Sequence, residues 1–328
     1  MRPSLIPCSW FVLGVCLSAP GLRAAEPSQP LADGVDLLPG AFVPGAQPDG
    51  NTIIFDAPAG LVVVDTGRHR GHAQRILGIA ASRNRPVAAI VNTHWHLDHV
   101  AGNVALRDAW PAVEVHASTA IDAALEGFLA RYRGQLQDAI AGTDDAAQAA
   151  AWREETARID AGPRLRPTMP VTASGPRTIA GHAFELGLSE AATRGDVWLH
   201  DPATRVLVAG DLVTLPAPFL DTACPVRWRA TLGELAAVDF AVLVPGHGKP
   251  MDRERFNVYR RAFNNLLACA ATPTRTRTCV AGWRRDADPL LTDADRETVD
   301  GMIAYYVDAR LRGPAATADC GAATDPAP

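Results

Sequence analysis

Short apolar runs bounded by turn residues alternate with longer stretches of helical period along most of the chain. Thr52 to Asp56 and Leu61 to Val64 read as strands joined at Ala57-Pro58-Ala59-Gly60. His72 to Arg83 has helical spacing, and Val87 to Val91 is the unbroken apolar run expected of a buried strand. A helix-like stretch follows from Gly102 onward. Residues 118 to 160 are Ala-rich, with Arg, Glu, Gln and Leu at helical spacing and little β-branched content. They predict two or three helices inserted between two halves of a domain. Phe184 to Leu188, Asp196 to His200, Arg205 to Ala209 and Phe240 to Val244 predict further strands, and Arg253 to Ala270 and Thr292 to Arg312 predict two terminal helices. This strand–helix alternation places the chain in the α/β class.

The ends differ from the middle. Arg2 precedes an apolar segment, Ser9 to Ala19, with small residues at Ala24 and Ala25. That is a signal peptide over residues 1–24, its apolar part too short to span a bilayer comfortably. Export to the periplasm or the medium follows, with one domain over residues 25–312. Residues 26 to 50, rich in Pro and Gly, predict an exposed lead-in, and Gly313 to Pro328 a loose tail that Cys320 could pin. Four cysteines survive removal of the leader: Cys224, Cys269, Cys279 and Cys320. In an oxidising compartment an even count favours disulfides, in three alternative connectivities, and the proximity of Cys269 and Cys279 makes them the preferred pair. None has the spacing of a redox motif.

Composition bounds the function. With 48% hydrophobic and 20% charged residues over 328 positions, the chain is ordinary globular material. A formal net charge of −5 supplies no basic field for nucleic acid. The expected partner is a small-molecule substrate. Lys249 is the only lysine among 31 basic residues.

The segment Thr93-His94-Trp95-His96-Leu97-Asp98-His99 carries the chemistry. Imidazole nitrogen and carboxylate oxygen together are a zinc-type ligand set, and this one directly follows a predicted strand. Asp211 stands just past the strand Arg205 to Ala209, and His247 just past Phe240 to Val244. Ligand-type side chains delivered from three strand ends toward one crevice point to a metal centre.

These motifs resemble the metallo-β-lactamase fold superfamily: His94, His96, Asp98 and His99 as H-x-H-x-D-H, Gly210-Asp211, Pro245-Gly246-His247-Gly248, and Asp65-Thr66-Gly67 at an early strand end. The resemblance implies an αββα sandwich of two facing mixed β-sheets flanked by helices, and one or two zinc ions at the sheet edge. It implies that Asp65 orients metal ligands. By the family pattern, His94, His96 and a third histidine form one site, and Asp98, His99 and His247 the other, with Asp211 bridging. The third histidine belongs in an Ala-His-Thr-x-Gly-Asp stretch that reads Ala191-Ala192-Thr193-Arg194-Gly195-Asp196 here. Ala192 cannot bind metal, so one strong zinc site and a weak or absent second are expected. Glu190, two positions earlier, is a candidate replacement ligand, with an exposed strand-end acid as the alternative.

The implied activity is that of an exported zinc-dependent hydrolase, acting with metal-bound hydroxide on an ester, thioester, lactone or amide. Asp98 would orient the nucleophile or return a proton, and Lys249 would attract an anionic substrate group, with a solvated loop charge as the alternative. A non-catalytic binding member of the fold and a true β-lactamase are the alternatives. Export, the G-D-L-V motif and the segment Pro216 to Asp221 bring the chain closer to exported SoxH-like metallohydrolases. That resemblance implies a functional link to a quinoprotein dehydrogenase system.

Overall fold

The computed structural model of the protein describes residues 28–41, 47–313 and 318–320, so the expected signal peptide lies outside the described residues. Strands β1 (Gln29–Ala32), β2 (Val35–Leu38), β3 (Thr52–Ala57), β4 (Gly60–Val64), β5 (Val87–Val91), β6 (Glu114–Ala117) and β7 (Met169–Pro170) form one sheet in that order. Pairing is antiparallel from β1 to β4 and parallel from β4 to β7. Strands β8 (Gly175–Ile179), β9 (His182–Ser189), β10 (Asp196–Asp201), β11 (Val206–Thr214) and β12 (Val242–His247) form the second sheet. Only its β11–β12 pair is parallel.

Alternation along the strands builds the layers. Ile53, Phe55, Val62 and Val64 pack against Phe184, Leu186, Val206 and Val208 of the other sheet. The intervening Ile54, Leu61 and Val63 face outward onto α1 (Arg70–Ser82) and α3 (Asn103–Ala109), which follows the single turn α2 (Leu97–Val100). On the second sheet Leu207 and Ala209 face the opposite way from Val206 and Val208. They meet α7 (Pro225–Ala237), α8 (Arg253–Ala270), α9 (Thr276–Ala287) and α10 (Asp293–Tyr305), numbered after the insertion helices described next. A side-chain period of two thus makes each strand serve two cores, and the result is a helix–sheet–sheet–helix sandwich.

The inserted helices are three: α4 (Ala120–Glu126), α5 (Phe128–Ala141) and α6 (Ala146–Asp160). Their apolar faces pack with Trp95, Leu97 and Val100 of the histidine-rich segment in a separate cluster. Residues 29–38, expected as part of an exposed lead-in, are instead an antiparallel hairpin with Val35, Leu37 and Leu38 buried. Strands of four residues in a Pro- and Gly-rich context left too short a period to read, although Asp33-Gly34 is a hairpin turn signal. The helix expected from Gly102 is α3, with Gly102 as its N-cap; the turn α2 before it, and α7 and α9, add to the helices foreseen. Among the described residues no helix is long and apolar enough to cross a membrane.

Cys269 and Cys279 pair as expected, and Cys224 pairs with Cys320. Two disulfides fit an oxidising, extracytoplasmic location. Cys224–Cys320 ties the tail to the N-cap of α7 across 96 positions, whereas Cys269–Cys279 spans 10. Because loop-closure entropy grows with loop length, Cys320→Ser should cost up to about 4–5 kcal/mol and Cys279→Ser up to about 3 kcal/mol. Chemical denaturation of the two variants should reproduce that order.

Candidate metal centre

Strand ends deliver the site. Strand β4 leads into Asp65, and its parallel neighbour β5 leads into the loop that carries His94 and His96. Asp98 and His99 sit on α2, Asp211 lies within β11, and His247 ends β12. Two glycines make the approach feasible. Gly210 adopts φ +54° with its Cα against Thr93, where a Cβ would come within 2.5 Å of the Thr93 Cβ. At Gly246 a Cβ would fall 2.0 Å from Asp211 Oδ1. The G-D and P-G-H-G motifs are therefore as much a packing requirement as a ligand pattern.

His99 Nε2 lies 3.3 Å from His247 Nε2, 3.4 Å from Asp211 Oδ1 and 3.7 Å from Asp98 Oδ2. His247 Nε2 lies 3.0 Å from Asp98 Oδ2 and 3.7 Å from Asp211 Oδ1. Ligands of a tetrahedral zinc with bonds near 2.0–2.1 Å stand about 3.3 Å apart, so these separations suit one ion. His94 Nε2 is 3.7 Å from Asp211 Oδ2. Both His94 Nε2 and Asp211 Oδ1 are buried without a hydrogen bond. Buried polar atoms are normally satisfied, and donors left open toward one point fit a cation.

The electrostatics agree. Burial opposes the charged form of His99, but Asp65, Asp211 and Asp98 outweigh it and hold its pKa well above the ordinary imidazole value. Burial also opposes ionisation of Asp98, and His99, a hydrogen bond from His247 and Arg68 outweigh it, keeping the carboxyl well below its usual range. Asp211 is lowered in the same way, by His247 and His99. Burial, reinforced by His99 and His96, pushes His94 well down. The cluster therefore offers carboxylates in their ligating form.

A second ring of contacts fixes these groups. Asp65 accepts from the Thr93 backbone N–H at 2.8 Å and the Thr93 hydroxyl at 2.7 Å, and its Oδ2 lies 2.7 Å from His99 Nδ1. Asn51 donates to the carbonyls of Pro245 and Gly248, both at 2.9 Å, clamping the loop of His247 to the opposite sheet. Arg68 lies 3.4 Å from Asp98 Oδ1 and pairs with Glu155 of α6, whose other oxygen accepts from Arg158 at 2.9 Å. None of Asn51, Arg68 or Glu155 carried a signal in the sequence, since each acts from a different element than the residue it supports.

Other expected residues fall differently. His96 joins neither group of convergent donors, because its Nε2 lies 3.0 Å from the Thr222 hydroxyl. Ala192 is buried. The half-exposed carboxylate of Glu190 pairs with Arg227, the arrangement of the alternative reading, an exposed acid. Arg227 lies on α7 and draws the acid outward. Lys249 is exposed, two residues past His247.

The sequence profile of the metallo-beta-lactamase superfamily matches residues 47–247. The chain belongs to that superfamily. Solved superfamily structures share the fold. A metallo-beta-lactamase from Pontibacter korlensis aligns with TM-score 0.53 and 20% identity over 73% of this chain and 98% of its own. One from Hirschia baltica aligns with TM-score 0.50 and 18% identity over 72% and 97%. A linear primary-alkylsulfatase from a Pseudomonas species is 28% identical over 238 residues. That match covers 66% of this chain and 44% of the alkylsulfatase, so the chain spans less than half of that relative's length.

The Arg68–Glu155 pair has side chains only 9% and 5% exposed, whereas Glu154, which pairs with Arg158, is 74% exposed. Removing one partner of a buried ion pair strands the other. Glu155→Ala should therefore destabilise the protein by about 3–5 kcal/mol, and Glu154→Ala by less than about 1 kcal/mol. Equal losses in denaturant midpoints would mean that the buried pair contributes nothing special.

Proposed function

We propose that the protein is an exported metal-dependent hydrolase. It holds a divalent ion, zinc by the nitrogen and oxygen donor set, between Asp98, His99, Asp211 and His247, and it cleaves an ester-type bond of a small molecule. The observation that carries this reading is the convergence of those four groups, from three separate stretches of chain, with the two imidazoles 3.3 Å apart and each 3.0–3.7 Å from both carboxylates. An ion in such a site supplies Lewis acidity and a nucleophile at neutral pH.

The chain's own groups do the rest. Asp65 fixes the ring of His99 and leaves Nε2 as its only free nitrogen. Asp98 presents Oδ2 toward His247 while Oδ1 faces Arg68. A carboxylate held below its ordinary range stays ionised at neutral pH and is a weak base, so Asp98 serves as an orienting and charge-stabilising group. Lys249, exposed beside the site, attracts an anionic part of the substrate from solution. Trp95 and Phe219 flank His96 at 4.5 and 5.1 Å between ring centres, and offer an apolar border to the rest of the substrate.

The likeness to an alkylsulfatase favours a sulfate ester as a second reading of the bond cleaved, beside an acyl ester. The β-lactamases share the fold at 20% identity or less, which carries no substrate.

His247→Ala should strip the ion and lower activity beyond the roughly 10–100-fold that loss of an outer partner costs. Elemental analysis of protein purified without chelators, with assays on p-nitrophenyl acetate, p-nitrophenyl sulfate, a thioester, a lactone and a β-lactam, tests the reading. Stoichiometric metal without turnover of any of them would make the protein a binding member of the fold. Lys249→Ala should raise KM for the anionic substrates a few-fold with kcat unchanged, and the difference should shrink at high salt.

A further inference from the structure

We propose that this protein holds one metal ion rather than two, and that Thr222 closes the second position by engaging His96. The inference rests on the reading of Asp98, His99, Asp211 and His247 as the seat of the ion.

The donors fall into two overlapping groups, His94 with His99 and Asp211, and Asp98 with His99 and His247. His99 belongs to both, yet it has one free nitrogen, because Nδ1 is engaged by Asp65 at 2.7 Å. An imidazole nitrogen offers a single lone pair and serves one ion. The two groups therefore describe a single centre with His94 at its margin. A second ion would have to draw on His94, Asp211 Oδ2, His96 and a residue at position 192.

Position 192 offers a buried methyl group. His96 is withdrawn by a chain of two hydrogen bonds. The Thr222 hydroxyl lies 3.0 Å from the Ala192 carbonyl and 3.0 Å from His96 Nε2. A carbonyl only accepts, and a hydroxyl has one proton, so Thr222 donates to Ala192 and accepts from His96. His96 Nε2 thus carries a hydrogen where a ligand needs a lone pair.

Thr222 is held in place from several directions. Trp283 donates to the Pro216 carbonyl at 3.1 Å, Arg310 donates to the carbonyls of Leu220 and Asp221, and the Cys224 N–H donates to the Ala191 carbonyl at 2.8 Å. The Cys224–Cys320 disulfide lies two residues beyond. The rings of Trp95 and Phe219 stand nearly perpendicular to the His96 ring, at 4.5 and 5.1 Å between centres, and resist its reorientation. Second-ion binding must break this arrangement first.

The test is zinc titration of the full mature chain, with metal counted by mass spectrometry after desalting. The wild type should retain close to one ion. Thr222→Val removes the acceptor with little change of shape, and should tighten any second binding event on the order of tenfold, the weight of one net hydrogen bond. The same gain should appear when Thr222→Val is added to Ala192→His. Nitrogen-15 NMR of the zinc-loaded wild type gives a readout that needs no substituted protein to fold: His96 should appear as the neutral tautomer protonated at Nε2. Two retained ions, zinc on His96 Nε2, or no effect of Thr222→Val would overturn the inference. A chain that binds no ion at all would overturn the seat itself, a distinct failure seen in the first titration step.

Discussion

The site turns on the two nitrogens of His99. One is locked to Asp65, which is itself locked by two bonds from Thr93. The other then has no freedom of direction and points at Asp98, Asp211 and His247. The backbone of His99 is held as firmly, since its carbonyl accepts from the Thr66 N–H and hydroxyl and from Asn92. For the ion proposed above, a ligand fixed at both ring and backbone would give up little entropy on binding, which would make the buried cluster a selective seat rather than a patch of mutual repulsion.

That orientation depends on two sheets keeping their relative position, because His99 and His247 come from opposite ones. The apolar layer between the sheets resists separation but does not by itself fix sliding. Asn51 does, by reaching from the first sheet to both ends of the Pro245–Gly248 turn. Arg68 performs a similar office toward the insertion. It joins Asp98 to α6 through Glu155, so the inserted helices are electrically tied to a candidate ligand. An unpaired charge so deeply buried costs several kcal/mol, so the insertion and the centre fold as one unit.

Much of this was legible in the chain. Strands β3, β4, β5, β9 and β10 follow from apolar runs with clear turn boundaries, and the donors follow from spacing and from their place after those runs. The hairpin at residues 29–38 did not, because four-residue strands carry no measurable period. The partners Arg68, Glu155, Asn51 and Thr222 did not either. Each is an ordinary polar residue whose meaning comes from a contact 30 to 197 positions away. Glu190 shows a related limit: its place just past a strand end left its direction open, and it pairs with Arg227, on a helix whose position the sequence did not give.

Thr222 belongs with Ala192 for a physical reason. A half-buried imidazole next to the proposed metal position gains from a partner for its second nitrogen. Replacing a neighbouring ligand by alanine weakens the hold of any ion on His96 and creates that need. A hydroxyl delivered by the 216–224 segment removes it, and the freed carbonyl of Ala192 completes the chain. His94 has no such substitute and stays open toward Asp211. Two histidines of one motif thus differ: His96 is satisfied by a hydroxyl, and His94 keeps an unpaired nitrogen at the margin of the proposed single-ion seat.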